Sequence, residues 1–265
     1  MTRTRVRGIE MAYELEGRGP PVLLLHGYPF NRTMWREQVE ALRASFRVIT
    51  PDLRGMGETE TSAEPATMNE MARDVAALLD QLSIERVMLG GLSMGGYVAL
   101  AFARRFPLRV RALVLADTRP QPDTDEARRA REEQARKALE EGMSALGEDL
   151  LKKVLAPATL GERPDIVERV REMILSTKAE GAAGALRGMA ARSDQTPFLP
   201  NIIAPTLILV GSEDRITPPA DAELMRREIR GSRLEIIPGA GHISNLERPD
   251  EFNRALSEFL RALQP

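Results

Sequence analysis

A chain of 265 residues that is 43% apolar and 29% charged can bury roughly 70–75% of its unfolded surface, which excludes a disordered protein and allows a large core. Its charges sum to 37 − 39 = −2 without a block of one sign, which argues against nucleic-acid binding and against attraction to an anionic membrane. Cysteine is absent, so disulfides, thiolate catalysis and cysteine-held metals are excluded, and histidine chemistry is left with His26 and His242.

The first residues are charged with no apolar stretch behind them, so no secretory leader is read and a cytoplasmic location is expected. Val6 to Glu14 has mixed alternation and ends at Glu16-Gly17-Arg18-Gly19-Pro20, which reads as the strands of an edge hairpin. Val22 to Leu25 is a short apolar run stopped by Gly27, as expected of a strand covered on both faces. Met34 to Leu42 has helical spacing, and Val48 to Thr50 is a brief strand running into Pro51. Thr67 and Glu70 form a capping box, with Met71, Val75, Leu78, Leu79 and Leu82 as the apolar stripe behind it. Val87 to Leu89 reads as a buried strand, Gly95 to Phe106 as a helix and Leu113 to Leu115 as a strand. The uncharged run from Val87 to Ala103 has 17 residues, short of the ~20 that a membrane span needs. Strand and helix therefore alternate up to residue 116, the signature of a parallel sheet with crossover helices.

After Asp117 the pattern changes. Asp123 to Glu141 carries twelve charged residues in nineteen, with Asp125–Arg129, Glu132–Arg136 and Glu133–Lys137 at helical spacing, and reads as a solvated helix face with a thin apolar side of Ala127, Ala130, Ala135, Ala138 and Leu139. Helical character continues to about Met189. Met143, Met173 and Met189 read as core filling, or else as an adaptable apolar wall over a pocket. The strand–helix rhythm returns at Thr206 to Val210, Ala220 to Ile229, Leu234 to Ile237 and Pro249 to Leu263. The expected organisation is one α/β core domain from residues 1–117 and 201–265, interrupted by a helical insertion at 118–200.

Gly91-Leu92-Ser93-Met94-Gly95 matches G-x-S-x-G between a strand and a helix. Such a turn lifts the serine oxygen clear of the sheet, and flanking glycines are needed where a Cβ would collide. Serine is a poor nucleophile until a base takes its proton. His242 follows the Leu234–Ile237 strand, at the sheet edge where open α/β folds bind ligands. The base needs a carboxylate to fix its tautomer, and Asp214, just after the Thr206–Val210 strand, is the candidate, with Glu213 and Asp117 as rivals. Oxyanion donors are expected from the Tyr28 amide, in the loop that Gly27 opens, and from the Met94 amide. His26 precedes the serine and is expected to bond backbone in its loop. The 52–57 loop around Arg54 reads as a brace.

His26-Gly27-Tyr28-Pro29, the run Asp52–Thr59, Gly91–Ala103, Val210–Pro219 and Pro238–Pro249 together resemble the α/β-hydrolase superfamily, most of all its small bacterial carboxylesterases and their lactonase-like relatives. The resemblance spans essentially the whole chain, and 118–200 corresponds in position to that family's helical cap. It implies a mostly parallel central sheet with helices on both faces, Ser93 as nucleophile, Asp214 as acid, His242 as base and the Tyr28 and Met94 amides as oxyanion hole. It also implies that Ile216 and Ile243 line the substrate pocket beside Gly27. The implied activity is hydrolysis of small to medium acyl esters through an acyl-enzyme, with no metal and no cofactor. Lactone opening, or a triad-bearing signal receptor of very slow turnover, are the alternatives. The expected partner is a small ester or lactone, with no nucleic acid and no membrane, in a monomer or small homo-oligomer.

Overall fold

A computed structural model describes residues 1–61 and 66–263. Residues 62–65 and 264–265, which fall within the expected core segments, lie outside the described residues.

The chain opens with a hairpin of β1 (Thr2–Val6) and β2 (Ile9–Glu16). Its turn is Arg7-Gly8, both at positive φ (45° and 88°), which matches the twist of the two strands. The hairpin thus starts earlier than the alternation suggests, and the glycines at 17 and 19 lead instead into β3 (Pro21–Leu25). A 3₁₀ turn at Arg32–Trp35 precedes α1 (Arg36–Leu42), followed by β4 (Arg47–Pro51). In α2 (Met68–Gln81) the capping box is half formed. Thr67 Oγ1 accepts from the Glu70 amide at 3.2 Å, but the Glu70 carboxylate turns to Arg7 and Arg73. Then come β5 (Val87–Leu92), α3 (Met94–Arg105) and β6 (Val110–Ala116). Five helices follow before the next strand: α4 (Asp125–Glu141), α5 (Ser144–Val154), α6 (Pro157–Glu162), α7 (Pro164–Leu175) and α8 (Ala179–Ala190). The chain closes with β7 (Thr206–Gly211), α9 (Pro219–Glu228), β8 (Arg233–Ile237), the short α10 (Ser244–Glu247) and α11 (Pro249–Arg261).

The strands form one sheet in the order β1-β2-β4-β3-β5-β6-β7-β8, antiparallel only at the β1–β2 and β2–β4 pairings. Side chains of each interior strand alternate between two apolar layers. Leu23, Leu25, Ile208 and Val210 pack with α2, α3 and α9, while Val22, Leu24, Leu207 and Leu209 pack with Trp35, Phe252 and much of the insertion. Covering both faces explains why these strands read as continuous apolar runs. It also places the C-terminal ends of β3, β5, β7 and β8 along one edge, under the inserted helices. Among the described residues, no helix is long and apolar enough to cross a membrane.

Candidate active site

Ser93 sits between β5 and α3 at φ 53°, ψ −116°, a conformation that non-glycine residues rarely hold. The turn is tight enough that a Cβ on Gly91 would lie 2.2 Å from the Gly95 carbonyl, and one on Gly95 would lie 2.1 Å from that of Leu25. Both glycines are therefore dictated by space, and the serine oxygen is left standing above the sheet edge. Its Oγ lies 2.8 Å from His242 Nε2, although Ser93 and His242 are 149 positions apart. On the other side of the ring, His242 Nδ1 lies 2.8 Å from Asp214 Oδ2. Since the ionised carboxylate can only accept, Nδ1 carries the ring proton, and Nε2 is free to accept from the serine.

Three further donors hold Asp214 in place. The amides of Ile216 and Thr217 donate to its Oδ1 at 2.8 and 3.0 Å, and the Thr217 hydroxyl donates to Oδ2 at 2.7 Å. Burial pushes this carboxyl up, but the His242 ring and these donors outweigh it and hold the group below the usual aspartate range. Thr217 was not singled out in the sequence, although a hydroxyl three residues after the acid is a visible signal.

The rival carboxylates are now separated. Glu213 is exposed. Asp117 is fully buried, but it accepts from the Gly211 amide at 2.8 Å and the Ser244 hydroxyl at 2.5 Å, and does not touch His242. Burial, and next the charge of Asp214, raise the Asp117 carboxyl well above its ordinary value.

His26 is a brace. With its proton on Nδ1 it donates to the Gly27 carbonyl at 2.9 Å, and Nε2 accepts from the Leu53 amide at 2.9 Å. Burial lowers its pKa, so it stays neutral. In the same region Arg54 grips buried Asp74 through two bonds of 2.7 Å, which ties the 52–57 loop to α2. The Gly27 loop backs directly onto the serine, since a Cβ on Gly27 would come within 3.3 Å of Ser93 Cβ. Among the described residues, the amides of Tyr28 and Met94 donate to no protein acceptor. Two unengaged N–H groups beside a serine oxygen can stabilise an oxyanion.

A cavity of about 220 Å³ opens over Ser93 and His242, with Ile216 on its wall. Gly27, packed behind the serine, does not line it, and neither does Ile243. That side chain is fully buried in the apolar layer with Leu246 and Leu155, because the chain turns between His242 and α10 and sends successive side chains to opposite sides. The roof comes from the insertion, where the thin apolar side of α4 turns inward, except for Leu139, which is exposed. Ala127, Ala130 and Arg131 of α4 face the cavity, as does Asp123 just before it. Ala135 and Ala138 are buried as α4 packs on α8. Only the outer side is solvated, and its ion pairs differ from the expected spacing: Arg136 bridges Glu133 and Glu140, while Glu132 reaches across to Arg187. Met189 walls the cavity, whereas Met143 and Met173 fill the insertion's own core.

Glu247, also missed in the sequence, ties the His242 loop to this roof. Its buried carboxylate accepts from Gly241 N, Ala156 N and Thr159 Oγ1 at 2.6–2.8 Å, and the His242 amide donates to the Val154 carbonyl at 2.9 Å. Among the described residues, no cluster of His, Asp and Glu could hold a metal ion.

Residues 20–249 match the family described as alpha/beta hydrolase fold. The chain belongs to the α/β-hydrolase family. This α/β hydrolase is 30% identical over 242 residues to 3-oxoadipate enol-lactonase 2 of Acinetobacter baylyi, covering 91% of this chain and 89% of that protein. Among solved structures it is similar to a thermophilic esterase from Thermogutta terrifontis, at 43% identity and TM-score 0.98 over 100% of both chains. It is also similar to the enol-lactonase from Burkholderia xenovorans LB400, at 32% identity and TM-score 0.92 over 98% of this chain and 100% of that one. An ester or lactone hydrolase is the activity class these relatives support.

Proposed function

We propose that the chain is a carboxylesterase acting on small to medium acyl esters. The observation that carries this is the unbroken line from Asp214 Oδ2 through the His242 ring to Ser93 Oγ, both links 2.8 Å, at the floor of a cavity. His242 takes the serine proton as Ser93 Oγ bonds to the ester carbonyl carbon, and Asp214 stabilises the resulting imidazolium. The tetrahedral anion is met by the Tyr28 and Met94 amides, each worth about 3–4 kcal/mol in such a role. His242 then gives its proton to the departing alcohol. Water, activated by the same ring, cleaves the acyl-serine to the free acid. No cofactor enters either step. Residues 118–200 act as a cap, and a cavity about half again the ~150 Å³ that holds a benzene ring suits a short acyl chain.

Lactone opening uses the same atoms with the leaving alcohol still tethered, and the similarity to two enol-lactonases favours it as the second reading. The test is turnover of p-nitrophenyl acetate and butyrate by the native chain and by Ser93→Ala. The native chain should complete many cycles per site, and the variant should lose roughly 10⁴-fold or more while keeping its circular dichroism and Tm. Retained turnover in Ser93→Ala overturns the assignment, and a single cycle per site would point to a receptor. Assays on γ-lactones and acyl-homoserine lactones rank the two hydrolase readings.

A further inference from the structure

The cavity over Ser93 carries charge. Arg119, Arg131 and Lys153 stand on its wall against one carboxylate, Asp123. Asp123 is fully engaged: Arg192 meets it at 2.8 Å, Arg119 at 3.3 Å, and Arg131 closes on it through Nε. Burial alone would raise its carboxyl, but Arg131 and Arg192 hold it below the ordinary value, so it remains an anion. Arg192 does not line the cavity, and most of its N–H groups are taken. It donates to the Gln121 and Met189 carbonyls and lies 4.2 Å from the Tyr97 ring centre.

Arg119 and Arg131 do have capacity left. The buried Arg119 Nε has no partner, and among the described residues nothing accepts from Nη1 of either guanidinium. Lys153 forms no ion pair among the described residues and is exposed. The Tyr28 hydroxyl, buried on the same wall within the field of Arg131, is also unpartnered. Asp221, the other carboxylate that Arg119 feels, bonds Gln121 and does not line the cavity. Three cations against one anion leave a surplus of two positive charges beside several unsatisfied donors. A neutral alkyl chain would leave those donors unpaired at a cost, whereas a carboxylate brings acceptors and the opposite charge.

We infer that this pocket selects esters or lactones that carry a free carboxylate remote from the scissile carbonyl, gripped by Arg119, Arg131 and the Tyr28 hydroxyl, with Lys153 at its edge. The inference rests on the Ser93 reading above and names the substrate class for that site. These groups determine specificity: the three cationic side chains and the Tyr28 hydroxyl do not touch the reacting atoms, and the Tyr28 amide alone faces the oxyanion.

The experiment compares substrates of matched length that differ in one charge. Monomethyl succinate, glutarate and adipate are set against methyl butanoate, pentanoate and hexanoate, which places the charge on the acyl side. Acetoxyacetate against ethyl acetate places it on the alcohol side. The native chain should favour the charged member in at least one arm by about tenfold or more in kcat/KM, carried by KM and shrinking as salt is added. Arg131→Gln should lower that ratio by about tenfold through the KM of the charged substrate. Lys153→Gln, at an exposed position, should lower it by a smaller factor. Succinate binding to Ser93→Ala, measured by calorimetry and abolished in Ser93→Ala/Arg131→Gln, reads the same site without turnover. Neutral esters turned over as well as charged ones in both arms, or a ratio unmoved in both charge variants, overturn the inference while leaving the esterase reading intact. If no ester is turned over yet succinate binds, the hydrolase reading fails and the carboxylate site stands.

Discussion

The loops at the edge of the sheet and the helices inserted after β6 meet over the same cavity, yet they are held in different ways. At the edge, backbone geometry decides. Ser93 is fixed by a strained φ and by glycines with no room for a Cβ, and Asp214 by two amides and a hydroxyl. In the insertion, side chains decide: Arg131 and Arg192 converge on Asp123, and Glu132 reaches Arg187 across the helix pair. Reaction chemistry is thus seated where the fold tolerates little change. The recognition we infer is seated where one residue can be exchanged without disturbing a strand.

This contrast can be broken by substitution, and the largest expected effect lies at the edge. Asp214→Asn should cost kcat about 10⁴-fold, because an amide cannot hold the ring proton on Nδ1. Asp117→Asn, a few residues away in space but bonded to Gly211 and Ser244, should cost less than about tenfold in kcat, because it makes no contact with the ring. The opposite ranking would reverse the two carboxylates' roles. Asp117→Asn should instead alter the pH dependence of stability. Burial and the Asp214 charge raise this carboxyl in the folded chain, so the folded state keeps a proton that the unfolded state releases. Its contribution is therefore favourable in acid and is lost as pH rises from the unfolded value through the folded one. Urea titrations across that range should show a flatter slope in the variant.

Next in size is the seam between the two regions. Glu247→Gln leaves one acceptor oxygen where the carboxylate met three donors, and should cost about 1–3 kcal/mol in urea denaturation. Smallest of all is the outer face of α4. Arg136→Ala removes two exposed ion pairs and should change stability by less than about 0.5 kcal/mol. A larger loss there would mean that this face is covered by something.

How much of this could be read in the sequence follows the same division. Ser93, Asp214 and His242 each come just after a strand, next to glycines, so local pattern located them before their contacts were known. The strands themselves were legible because burial on both faces leaves unbroken apolar runs. Asp123, Arg131 and Glu247 were not, because a charged residue on or beside a helix looks the same whether it faces water or the protein interior. Ile243 was misplaced for a related reason: adjacency to His242 in sequence does not say which way a turn sends the next side chain. The half-formed capping box at Thr67 shows tertiary partners, here Arg7 and Arg73, outcompeting a local motif for Glu70.

The identity of the nucleophile is the most direct test of how this site works. Rapid acid quench of the native chain with p-nitrophenyl butyrate, followed by peptide mass spectrometry, should find one butyryl group on the peptide that contains Ser93 and none in Ser93→Ala. A butyryl group elsewhere, or ester cleavage that continues without the Ser93 hydroxyl, would contradict Ser93 as the nucleophile.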